Sequence, residues 1–99
     1  MRYIRAELST SFGEFPVEIE STAENGIMKG KYSILGYEGK YDGVIDENGV
    51  YSFSGTLDTY VGPVFFELRG VYEDGKPIIA HGTCSVSKEI TLRETRIDV

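Results

Sequence analysis

Two residue types that often pair as base and nucleophile occur once each in this 99-residue chain, His81 and Cys84. Three positions apart in an extended segment, they fall on opposite faces of a strand and cannot act on one another within the chain. His81 reads as a surface residue and Cys84 as a small buried hydrophobe. A zinc centre needs three or four ligands, and this pair would have to borrow carboxylates. The acidic pairs Asp46-Glu47 and Glu73-Asp74 adjoin Asn48-Gly49 and Gly75. They read as hairpin turns, where Asp is favoured by local geometry, and neither has the spacing of an EF-hand. Gly36, Gly39 and Gly43 are spaced like a loose glycine-rich loop, but they lack the strand-to-helix setting that a phosphate cradle requires. The expectation is therefore no catalytic residue, no metal and no cofactor, with an enzyme ranked behind a binding or interaction domain. Arg93, Glu94 and Arg96 on the last strand are the exception to watch. If a bulge turned one of them inward, it would anchor an anionic ligand.

The elements that would position any such residue are strands. Turn signals recur at short intervals: Phe12-Gly13-Glu14, Glu24-Asn25-Gly26, Gly36, Asp46-Glu47-Asn48-Gly49, Val61-Gly62-Pro63 and Glu73-Asp74-Gly75. Asn-Gly and Asp-Gly are strong hairpin signals, because both central positions of a type I′ turn need positive φ. Pro77 is placed to open a strand, where its missing N–H does least harm. Between the turns, 4–8, 15–19, 28–34, 37–45, 50–58, 64–72 and 78–86 alternate apolar and polar residues with period two, as antiparallel strands with one core face do. Their apolar sets include Tyr72 and Val86. Segment 88–97 carries Ile90, Thr91, Thr95 and Ile97 and reads as an eighth strand. Tyr60 and Val61 fall at a turn tip, where they serve either as contact residues or as a plug over one end.

Five successive strands share the pattern apolar-x-Gly-x-apolar, centred on Gly30, Gly43, Gly55, Gly70 and Gly82. Each glycine falls on the apolar face. Glycine weakens a strand interior, so the repetition asks for a geometric reason. One reason is curvature, which lets a small sheet close. The other is room: a cavity bordered by Gly55 and Gly70, with Tyr32, Tyr41, Tyr51 and Tyr72 as candidate ligand-binding residues. The reading is an all-β antiparallel meander of about eight strands, one domain over 1–99, rolled into a closed or nearly closed small barrel. An open curved sheet burying its apolar face against a second subunit is the architectural rival. The glycine-punctuated meander resembles the calycin-like barrels, the architecture of lipocalins and fatty-acid-binding proteins. The chain has no tryptophan, so the Gly-x-Trp signature of lipocalins is missing and the resemblance is one of architecture. Tyr37-Glu-Gly39-Lys-Tyr41-Asp-Gly43 is similar to a MORN-type unit, but the unit is not repeated at regular spacing.

With a net charge of −6, the chain is acidic and lacks a basic cluster. Direct nucleic-acid binding is disfavoured, as is docking on an anionic membrane, so neither partner is expected. An apolar fraction of 40% and a charged fraction of 26% are ordinary globular values, which argues against disorder. A single cysteine excludes an internal disulfide framework. No long apolar run follows the first residues, and the default compartment is the cytoplasm. Two functions remain in view. The first is non-catalytic binding of a small, largely apolar molecule inside the barrel. The second is an interaction domain that self-associates, as a homodimer, through strand edges or a sheet face.

Overall fold

The computed structural model describes residues 2–60 and 62–95. Eight strands follow one another: β1 (Arg2–Thr10), β2 (Gly13–Glu24), β3 (Ile27–Ile34), β4 (Tyr37–Ile45), β5 (Val50–Thr59), β6 (Gly62–Val71), β7 (Ile79–Cys84) and β8 (Ser87–Glu94). Each pairs antiparallel with the next, and β8 returns to β1, closing the barrel. The closing ladder runs from Ala6 opposite Glu94 to Ser9 opposite Thr91. Closure gives both terminal strands a partner and replaces the open-sheet alternative.

The turns follow from residues that tolerate positive φ. Asn25 (φ 54°) and Gly26 (φ 79°) join β2 to β3 in the geometry a type I′ hairpin requires. Between β4 and β5, the Asp46 carboxylate accepts from the backbone N–H of Asn48 at 2.8 Å and of Val50 at 3.0 Å. The turn between β7 and β8, at Ser85 and Val86, has neither glycine nor asparagine, and serines serve it instead. The Ser85 hydroxyl accepts from Phe65 N–H at 3.1 Å, and Ser87 donates to the Glu89 carbonyl at 3.0 Å. Val86 is therefore an exposed turn residue rather than an inward strand residue. Tyr72 likewise lies just past β6, partly exposed.

Inside, Ile4, Ala6, Val17, Ile19, Tyr32, Ile34, Tyr41, Tyr51, Leu68, Ala80, Ile90 and Leu92 form the buried core. Outside, charged residues mark most strands, among them Arg5, Glu18, Lys31, Lys40, Glu67 and Arg93. Such a wall suits water, since a strand crossing lipid turns an apolar row outward.

Candidate functional site

Among the described residues, no large side chain is fully buried. Core side chains of a filled barrel would be, so the inward residues face a hollow. A cavity of about 610 Å³ runs through the interior, lined from all eight strands. That lies within the usual range of small-molecule sites, roughly 300–1,000 Å³. At about 30 Å³ per water-sized group, it has room for on the order of 20 such groups.

Most of the rings of the lining gather on one side. On β3 to β6, five rings form a continuous belt. Tyr32 meets Phe66 edge-on with centroids 5.1 Å apart, Tyr41 lies 5.0 Å from Phe53, and Phe53 is 6.0 Å from Tyr51 and 6.4 Å from Phe66. Across the cavity, β1, β2 and β8 contribute aliphatic side chains, including Ile4, Ala6, Ile19 and Leu92.

The repeated glycines belong to the wall. Gly30 stands directly across from Tyr41, Gly39 from Tyr32, Gly55 from Phe66 and Gly70 from Tyr51. In each pair the ring lies over the glycine. A Cβ added at Gly55 would sit 2.7 Å from the Phe66 ring and 2.7 Å from the Lys40 carbonyl, and one at Gly70 would sit 2.6 Å from the Tyr51 hydroxyl. Gly43 and Gly82 press against the backbone of β5 and β6 instead. These glycines are seats for rings and for neighbouring strands, the arrangement by which aromatic side chains cover strand glycines. The cavity owes its volume to the barrel's girth.

The tyrosine hydroxyls are committed to the wall as well. Tyr32 donates to the Thr56 carbonyl at 2.6 Å, and Tyr51 to that of Ile79 at 3.5 Å. Burial, with the nearby Asp58 charge, pushes the Tyr32 phenol up to about 12. Burial also raises Tyr41, tempered by a hydrogen bond with Ser21, and raises Tyr51. Each phenol stays protonated as a donor at neutral pH. Tyr32, Tyr41 and Tyr51 thus turn ring faces to the cavity. Tyr72 lies at one end of it, beneath the Arg2 guanidinium, 5.6 Å from the ring centroid.

That end carries the charged groups of the lining. In β8, the register slips between the Cys84–Ser87 and Gly82–Ile90 pairs, placing an extra residue on the β8 side. The slip sends Ile90, Leu92 and Glu94 inward and leaves Arg93 outside. The Glu94 carboxylate, 12% exposed, pairs with Arg2 at 3.3 Å and accepts from Ile78 N–H at 3.0 Å. A carboxylate with its own arginine therefore stands at the position from which an inward side chain of the last strand would anchor an anion. Arg96 lies outside the described residues. Sequence reasoning missed this pair, because Arg2 and Glu94 are 92 positions apart.

His81 is exposed on the outer wall, its Nδ1 3.4 Å from the Thr91 hydroxyl, while Cys84 packs inward against the core. Among the described residues, no three of His, Cys, Asp and Glu gather as a metal site would need. The chain matches no protein-family model and no curated protein.

Proposed function

We propose that the protein is a non-catalytic binding domain whose barrel interior holds a small, largely apolar molecule. The observation that carries this reading is the cavity of about 610 Å³ lined mostly by aromatic and aliphatic side chains. Apolar surface facing such a void gains contacts and sheds water when an apolar guest fills it, worth about 25 cal/mol per Å² removed from water. The Tyr32 and Tyr51 hydroxyls are already hydrogen-bonded to the wall, and Arg2 and Glu94 are paired with one another. They add little affinity of their own, so recognition rests on shape and apolar area.

The test is native mass spectrometry of freshly purified protein, without heat or organic solvent. A monomer carrying extra small-molecule mass supports the reading and identifies the ligand. Protein without adduct that also takes up no neutral apolar dye overturns it.

Self-association remains the second reading in its sheet-face form. Val50 and Val71 are exposed register partners on the outer wall, as are Ile27 and Val44. A protein monomeric at high concentration sinks it.

A further inference from the structure

An up-and-down meander delivers alternate hairpins to opposite ends. The β1–β2, β3–β4, β5–β6 and β7–β8 turns share one end, and the other three turns share the opposite end. The two ends differ in chemistry. Among the described residues, each of the four turns at the first end presents one large apolar side chain to solvent: Tyr60 (89% exposed), Phe12 (70%), Leu35 (63%) and Val86 (54%). The residues next to them, Ser11, Gly36 and Ser85, are uncharged. The turns at the opposite end carry Asp46, Glu47, Glu73, Asp74 and Lys76, with the partly exposed Tyr72 among them and exposed Ile27 and Val50 starting the strands that follow. Phe12, Leu35 and Val86 also line the cavity, so the uncharged rim borders one of its two ends.

Leu35 shows that this rim is held against local preference. It sits at φ 52° beside Gly36 at φ 83°, the left-handed geometry that Asn25 and Gly26 adopt at the other end. Asparagine suits that conformation, whereas leucine is strained there by roughly 1–2 kcal/mol. The same turn thus uses the fitting residue at the charged end and an ill-fitting apolar one at the rim.

We propose that the rim docks on a zwitterionic lipid surface of the phosphatidylcholine type, with Phe12, Leu35, Tyr60 and Val86 immersed at its boundary. Two observations select this occupant. Two or three residues behind the tips stands a collar of Glu14, Glu38, Asp58 and Glu89, with Lys88 as its one cation. That collar meets the level of the headgroups, where it attracts choline ammonium groups and repels anionic lipid. The electrostatic argument against membranes made from net charge applies to anionic surfaces alone. Second, the rim is small. Four side chains that each bury at most about 150–250 Å² leave little beyond the roughly 800 Å² per partner of a stable dimer, and only if every one is wholly covered. A few apolar and aromatic groups suffice for reversible interfacial binding. The proposal stands on the rim and does not require a ligand in the barrel.

The chain has no tryptophan, so single reporters are clean. Tyr60→Trp marks the rim and Glu47→Trp the opposite end. With phosphatidylcholine vesicles, the rim reporter should shift to the blue while the other stays unchanged. Adding Leu35→Asn to the rim reporter should raise the urea midpoint, because strain is relieved, and yet weaken vesicle binding about tenfold or more. No shift at the rim overturns the proposal. So does an equal shift at both ends, stronger binding to anionic vesicles, or a rim shift without vesicles that grows with protein concentration, which would make a second copy the occupant. A rim shift in protein that takes up no apolar dye would leave docking standing while the ligand reading fell.

Discussion

Replacing Gly55 by alanine separates the two meanings of an inward glycine, because they predict opposite signs. In a strand with free space, Gly→Ala stabilises by about 0.4–1 kcal/mol through loss of unfolded-chain entropy. At Gly55 the new Cβ meets the Lys40 carbonyl and the Phe66 ring, both at 2.7 Å. The carbonyl is part of the β4–β5 ladder and cannot retreat without opening it. The ring can turn, but only by leaving its edge contact with Tyr32. Overpacking of this kind costs about 1–3 kcal/mol, and the lost ring pair about 0.5–1.5 kcal/mol more. Net of the entropy gain, Gly55→Ala should destabilise by about 2 kcal/mol and lower the Tm by roughly 10 °C. Thermal unfolding followed by circular dichroism, with urea titration alongside, reads it directly. A variant as stable as the parent, or more so, refutes the ring-seat account. If such a variant also lost dye uptake, the glycines would be making room for a guest after all.

Three other perturbations probe separate parts of the barrel. Ala6→Phe projects into the void, so it should leave the fold intact and cut uptake of a neutral apolar dye by tenfold or so; unchanged uptake places the dye elsewhere. Because the Tyr32 phenol rises from its ordinary 10 to about 12 in the fold, the native state holds that proton more tightly than the unfolded chain. Stability should be full below pH 10 and fall between pH 10 and 12, and Tyr32→Phe should flatten that fall in urea midpoints measured across the range. Glu94→Ala strands the Ile78 N–H and should cost about 1–3 kcal/mol, whereas Glu94→Gln, which keeps an acceptor, should cost clearly less; equal losses in chemical denaturation would assign the effect to charge alone.

Strand number, most of the turns and the inward faces of β1 to β7 were legible because alternation and Asn-Gly or Asp-Gly signals are local. The Ser85-Val86 turn was not, since its geometry is held by serine hydroxyls bonding to residues as far away as Phe65. The inward turn of Glu94 was hidden for a related reason. A single extra residue in β8 reverses the faces of everything after it, and sequence alternation does not reveal which residue is extra. The glycine pattern was visible, but its meaning depended on cross-strand register, which places Tyr41 over Gly30 and Phe66 over Gly55. The inward faces of Tyr32, Tyr41 and Tyr51 follow from alternation, whereas Tyr72 falls past the end of β6 and is partly exposed, and the destinations of the hydroxyls required the neighbouring strands. The contrast between the two ends of the barrel was present in the turn residues all along. It became readable once closure showed which turns share an end.

Seven of the eight ladders join neighbours in sequence, and the eighth, β1 to β8, joins the two ends of the strand order over four residue pairs. Hairpins close over a few residues, whereas this ladder closes a loop of roughly 90, whose entropy is recovered only when the rest of the sheet is in place. Assembly should therefore travel around the circumference as a zipper and finish at this seam. The β6–β7 ladder is equally short, four residue pairs, but a short connection tethers its strands, whereas the seam has no such tether and should reopen more readily in the folded state. In hydrogen-exchange measurements, the amides bonded across β1 and β8 should lose protection before those that join β1 to β2. A wall that closes last at a seam able to reopen would give the interior a side door, separate from the two ends of the barrel.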